Sequence, residues 1–279
     1  MHYLLRNFDH NRPEIANAFD EASLWSAPFG LLLLREMPLI RSGRVLDVGC
    51  GTGFPLLPLS QRLGPDVQLT GIDPWMPAVE RAHAKALAFA VPNVALHYGS
   101  ATQLPFDDDE FDLVVSNLGL NNFADAPAAV AEAHRVLKHR GRLCLTTNPL
   151  GTFARFYEVL MESIAGLGEV EALHQVSQQI AARRTPHQIE ELLTDAGLAI
   201  VRTVEETHGL RYASGSAFLN DYLIVLGFLP AWKELLPSAQ TEGLFRIVEE
   251  KLNAIAKESG EYRAEVPMLY VEAQRTDGF

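Results

Sequence analysis

The sequence predicts a doubly wound α/β protein, a parallel sheet with helices on both faces. Three observations predict it. Strand-like and helix-like segments alternate from about residue 44 to about residue 147. The strands are short and nearly all apolar, FDLVVS at 111–116 most clearly, as strands covered on both faces must be. The first strand runs into Gly49-Cys50-Gly51-Thr52-Gly53 and then a helix. Such a turn lets the backbone bend sharply and approach a ligand closely, and the helix start offers free N–H groups to it. Repeated βα units of this length imply right-handed crossovers.

Each element follows from local chemistry. Residues 44–48 form the first strand. A helix over 53–63 tolerates Pro55 in its first turn, whereas Pro58 makes its start irregular. Residues 67–73 form the second strand, which ends on Asp73. The helix over 77–90 turns Val79, Ala82, Ala86 and Leu87 to the sheet. Strands follow over 93–98 and 111–116. The helix over 126–139 carries Val130, Ala133, Val136 and Leu137 at helical spacing and stops at Gly141; the fifth strand is 142–147. The pattern then breaks, and 148–184 hold only helical stretches, over 153–164 and 170–183. Next comes a well-marked helix: Thr185 as N-cap, Pro186 at the first position, Gln188 completing a capping box and Gly197 at the end. Its core face is Ile189, Leu192, Leu193 and Ala196. A strand over 198–206, a helical insertion over 210–259 and a last strand over 266–272 complete the chain. Upstream, the apolar stretch 14–34 predicts one or two helices interrupted near Pro28. The expected organisation is one domain over 1–279: an N-terminal helical cap (1–43), a core (44–147) and helical insertions at 148–184 and 210–259.

Composition narrows the function. The formal net charge is −12, from 35 acidic and 23 basic residues, with no basic run. Nucleic-acid binders carry a basic footprint, so this balance argues against such a substrate. The hydrophobic fraction of 48% suffices for a sizeable core, and no apolar run is long enough to insert stably in a membrane. Two cysteines, Cys50 and Cys144, make no disulfide framework and no metal-ligand spacing, and no secretory signal follows Met1. The expectation is a cytoplasmic protein without a metal.

In an open parallel sheet, ligands bind beyond the carboxyl ends of the strands, near the point where strand order reverses. Four strand ends here carry suitable groups: the glycine turn, Asp73, Gly99-Ser100-Ala101-Thr102, and Asn117-Leu118. Asp73 has the chemistry to accept two hydrogen bonds from a ribose diol, or to cap a helix. Asp47 stands two residues before the first glycine, and Phe54 fills the place where a dinucleotide fingerprint wants a small residue.

The form D-x-G-x-G-x-G at 47–53 resembles the first motif of class I S-adenosylmethionine (SAM)-dependent methyltransferases. GID at 71–73, GSATQLPF at 99–106, VVSNLGLNNFAD at 114–125 and VLKHRGRLCLT at 136–146 resemble its later motifs in order and spacing. The set is most similar to the small-molecule, ubiquinone/menaquinone-biosynthesis type (methyltransferase type 11). The resemblance implies a Rossmann-like seven-stranded sheet, mostly parallel with an antiparallel last strand, with N-terminal helices and helical lid insertions. It also implies SAM as cofactor and S-adenosylhomocysteine as product. Gly49, Cys50, Gly51 and Gly53 would then pass beside the amino acid part of SAM, and Asp47 would help bind its amino group. Asp73 would hold the ribose, Pro74 and Trp75 would flank the adenine, and Ser100, Ala101, Thr102, Asn117 and Leu118 would complete the cofactor site.

Two departures stand out. Ser100 occupies the place of the family's adenine-binding acid, leaving the Ala101 amide to serve. Asn121-Asn122 replaces a frequent His-His pair, so no particular acceptor carries over. The expected activity is methyl transfer to a small molecule, with no nucleic acid as partner; no residue is assigned as a general base. The alternatives are an NAD(P)-dependent oxidoreductase, which shares the glycine turn and Asp73, and a non-catalytic SAM-binding regulator.

Overall fold

A computed structural model describes residues 1–22 and 24–276. After a 3-10 turn at His2–Leu5 come α1 (Pro13–Glu21), α2 (Ser26–Glu36), β1 (Gly43–Val48), α3 (Leu56–Leu63), β2 (Val67–Asp73), α4 (Met76–Ala88), β3 (Val94–Tyr98), β4 (Phe111–Asn117), α5 (Ala126–Val136) and β5 (Leu137–Thr147). Then follow α6 (Ala154–Leu167), α7 (Val170–Ala181), α8 (Pro186–Asp195), β6 (Leu198–Tyr212), α9 (Gly215–Asn220), α10 (Tyr222–Gly227), α11 (Leu229–Lys233), α12 (Ser238–Ser259) and β7 (Tyr262–Arg275). The sheet has seven strands in the order β3-β2-β1-β4-β5-β7-β6. The first five are parallel, and β7 pairs antiparallel with β5, Arg142 facing Gln274 and Thr147 facing Leu269.

The chain divides into two compact units. One contains the described residues of Asp9–Asn148, Thr185–Glu206 and Met268 onward. Its core lies where β1, β4 and β5 meet α5 and α8: Leu46, Val114, Leu143, Val130, Val136, Ile189 and Leu193 are buried together. The apolar strands and the i, i+3, i+4 spacing of the helices both follow from this burial. The capping box of α8 is present: Thr185 Oγ1 accepts from Gln188 N at 3.2 Å, and Gln188 Oε1 accepts from Thr185 N at 2.9 Å. Thr185→Ala is therefore expected to lower unfolding stability by about 1 kcal/mol, read as a lower urea midpoint with an unchanged slope.

The other unit contains Met1–Phe8, Pro149–Arg184 and Thr207–Pro267. Its centre is aromatic. Phe156 stacks on Trp232 with ring centroids 4.0 Å apart, Phe218 lies 5.0 Å from Tyr262, and the Trp232 indole N–H donates to the Tyr157 hydroxyl at 3.2 Å. Leu244, Phe245, Val248 and Leu252 give α12 one apolar face. The 3-10 turn is held there by Tyr3, whose hydroxyl donates to Glu249 at 2.9 Å, and by Lys233, which donates to the Leu4 carbonyl at 2.9 Å.

Several elements differ from the sequence reading. Helix α5 ends at Val136, and residues 137–141 enter β5 through a register shift opposite β4. Burial of Leu137 beside Phe111 outweighs the helical spacing that suggested continuation to 139. The stretch 14–34 breaks after Glu21, not at Pro28, which falls in the first turn of α2, where proline does no harm. Ser23 lies outside the described residues. Leu87 is 71% exposed: at 100° per residue it points well away from the face that buries Ala78, Ala82 and Ala86. The strands β6 and β7 extend beyond 206 and 272, to Tyr212 and Arg275.

Candidate active site

Strand order reverses between β1 and β4, so the crevice of this sheet opens beyond the carboxyl ends of these two strands. The glycine turn lies there. Gly49, Gly51 and Gly53 have φ of +82°, +51° and +94°, the left-handed region that a side chain disfavours. Gly53 is also crowded: a Cβ would lie 3.1 Å from Leu57 and 3.2 Å from Ala82. The turn is tied to β2 by its amides. Gly49 N and Cys50 N donate to the Ile72 carbonyl at 2.8 and 3.2 Å. Gly51 N donates to Asp73 Oδ2 at 2.9 Å.

Asp73 is thus engaged on both oxygens, since Oδ1 accepts from Trp75 N at 2.8 Å. This carboxylate orders the start of α4 and the glycine turn at once, so its local role and its exposure to a ligand coexist. Burial raises its pKa, against the pull of the Trp75 and Gly51 amides. Asp47 is fully buried and neither of its oxygens has a partner among the described residues. Burial first, and the nearby Asp73 charge second, push its carboxyl up to about 8. An unsatisfied buried carboxyl is costly and invites a cationic partner. Cys50 contributes backbone only. Its side chain is turned inward, near Gly71, and burial, Asp47 and Asp73 all raise its thiol well above the usual range.

Trp75 is half-buried, and its indole N–H donates to the His10 carbonyl at 2.6 Å. The rings of Phe19 and His10 meet it edge-on at 5.7 and 6.1 Å. Pro74 beside it is exposed. Ser100 is exposed, its hydroxyl 2.8 Å from that of Thr102 and accepting from Thr102 N at 3.2 Å; Ala101 between them is buried. At the end of β4, Asn117 accepts from the Thr146 hydroxyl at 2.7 Å and donates to the Ser26 carbonyl at 3.3 Å. Leu118 follows with φ +64°, an uncommon conformation for a branched side chain, held by its amide on the Thr146 carbonyl at 2.9 Å. The Ser116 hydroxyl donates to the Val48 carbonyl at 2.7 Å and fastens β4 to β1 at the mouth of the crevice. Asn121 donates to the carbonyl and side-chain oxygens of Asn148 at 2.8 and 2.9 Å.

The sequence-predicted residues from Asp47 to Leu118 therefore lie on neighbouring strand ends of one unit. Direct contacts join Asp73 to Gly51 and Trp75, and Ser100 to Thr102. Sequence reasoning missed Asp20, whose partners are far away in the chain. His83 and His97 are exposed. Among the described residues no group of three His, Cys, Asp or Glu is placed to hold a metal ion.

Residues 46–145 match the family model described as a methyltransferase domain. The chain is 28% identical over 221 residues to demethylmenaquinone methyltransferase of Staphylococcus aureus, covering 75% of this chain and 89% of that one. The chain carries a methyltransferase domain and is a SAM-dependent methyltransferase. Solved structures agree on the fold of this methyltransferase. A SAM-dependent methyltransferase from Aquifex aeolicus superposes with a TM-score of 0.54 at 21% identity, covering 71% of this chain and 93% of that one. The YcgJ protein of Bacillus subtilis gives 0.57 at 19% identity, covering 90% and 99%. The cofactor is SAM. No described helix of the methyltransferase is long and apolar enough to cross a membrane.

Proposed function

We propose that the methyltransferase holds SAM in the crevice formed by the carboxyl ends of β1, β2 and β4. The observation that carries this reading is the pair of carboxyls flanking the glycine turn, the half-buried Asp73 bound to Gly51 and the fully buried Asp47 with no partner among the described residues. Asp73 offers its remaining lone pairs to the ribose diol. Asp47 offers a counter-charge to the ammonium of the amino acid part, which passes along Gly49, Cys50, Gly51 and Gly53. Trp75 and Pro74 flank the adenine, Ala101 offers it an amide, and Ser100 and Thr102 close that edge. Asn117 and Leu118 bound the site at β4.

SAM supplies, when bound, a methyl group on a sulfonium, an already activated leaving group. The protein's task is then alignment and exclusion of water. Asn121 and Asn148 stand beyond β4 and β5 as neutral hydrogen-bonding groups, and the Thr147 hydroxyl beside them is buried without a partner among the described residues. These amides suit an uncharged acceptor oriented by hydrogen bonds. The net charge of −12 favours a neutral or cationic small acceptor over nucleic acid. Two free, buried cysteines suit a reducing cytoplasm.

The test is transfer of label from methyl-labelled SAM into fractionated cell metabolites, with demethylated quinols and small amines added as separate pools. Labelled product in a small-molecule fraction is expected. Label in nucleic acid alone, or SAM binding with no turnover in any pool, would overturn the acceptor reading.

A further inference from the structure

One charged cluster of the first unit is not used by the site as described. Asp20 lies in the last turn of α1, its side chain only 11% exposed. An acid there opposes the helix dipole, so local preference does not place it. Its partners do. Asp20 Oδ1 accepts from the Thr52 hydroxyl at 2.8 Å and from Lys85 Nζ at 2.6 Å, and Oδ2 accepts from Arg81 Nε at 2.9 Å. Burial pushes this carboxyl up, but the bonds from Lys85, Arg81 and Thr52 outweigh it and hold it below the ordinary range.

Thr52 is the middle residue of Gly51-Thr52-Gly53 and is itself buried. Its neighbours have no side chains, so its hydroxyl is the lateral anchor of this part of the turn. The same N-terminal segment meets Trp75 through the His10 carbonyl and the Phe19 ring. Residues 10–20 are thus fastened to the chain at two places, on the glycine turn and beside Trp75. Arg81 and Lys85 would serve to fix a helix on α4; they do not require the Thr52 bond.

We propose that Asp20 is a positioning residue for the cofactor, holding the glycine turn through the Thr52 hydroxyl and making α1 part of the SAM site. This inference rests on the cofactor site proposed above. Loss of the bond frees the turn, and the ligand must then order it on binding.

The experiment measures the dissociation constant of S-adenosylhomocysteine and the melting temperature of the full chain and its variants. Asp20→Ala and Thr52→Val are each expected to weaken binding about tenfold, the effect of one hydrogen bond to a charged group. The double variant is expected to be no weaker than either single one, because both remove the same bond. Asp20→Asn keeps an acceptor oxygen for Thr52 and is expected to bind within about twofold of the wild type, while still losing melting temperature through its weakened cation pairs. Arg81→Gln is expected to lower the melting temperature and leave affinity alone. Affinity that follows melting temperature across the set, additive single effects, or wild-type affinity in Thr52→Val would each overturn the inference while leaving the site standing. Failure of the wild-type chain to bind S-adenosylhomocysteine would overturn the site, and this inference with it.

Discussion

Asp73→Ala is expected to weaken S-adenosylhomocysteine binding by about a hundredfold, roughly 3 kcal/mol, the upper range for a charged hydrogen-bond acceptor. Two losses combine. The ribose diol loses its acceptor, and the Gly51 and Trp75 amides, which now donate to the two carboxylate oxygens at 2.9 and 2.8 Å, lose theirs. The second loss loosens the glycine turn and the start of α4 before any ligand arrives. Asp73→Asn separates the contributions. It keeps one acceptor oxygen and removes the charge, and about a tenfold loss is expected. Calorimetric titration of both variants checks this. Wild-type affinity in Asp73→Ala would reduce Asp73 to a turn residue.

A pH dependence of both stability and affinity is the second large effect expected, and Asp47 is its source. Its carboxyl lies at about 8 in the folded chain, against 3.8 as the ordinary value. Between the two values the folded chain holds the proton and the unfolded chain does not. Stability is therefore greatest at the acid end of this window and falls as pH rises through it. An ammonium placed beside Asp47 favours the ionised carboxylate, so ligand binding releases a proton and affinity rises over the same window. Melting temperatures from about pH 5 to about pH 8 follow the first effect. Titration in two buffers of different ionisation enthalpy reads the second, as a difference in apparent heat. Asp47→Asn, which cannot ionise, is expected to flatten both. A flat wild-type profile, or an Asn variant with the same slope, would remove Asp47 from the cofactor site.

The same carboxyls show how far the sequence could be read. Asp47 and Asp73 were legible as candidate site residues because a motif of fixed spacing carries them. Their ionisation was not, since it depends on burial and on each other across two strands. Trp75 was legible beside Asp73, but its contacts with the N-terminal segment were not. His10 and Phe19 carry no motif, and the His10–Trp75 bond spans 65 residues. Asp20 carries no motif either; only its three donors, drawn from the glycine turn and α4, give it a role.

What the sequence determined by itself is what short-range physics decides. Apolar runs made strands, the capping box of Thr185 and Gln188 started α8, and alternating glycines made the turn after β1, because each needs only neighbours within a few residues. Its errors fell where short-range signals compete with distant burial. Helical spacing carried α5 too far, since Leu137 is instead paired with Phe111 in the sheet. The tertiary structure alone decided the charge state of Asp47, the anchoring of Thr52 by Asp20 and the course of residues 137–141 into β5. Each is settled by groups brought together from remote parts of the chain, whose desolvation and hydrogen bonds no local pattern encodes.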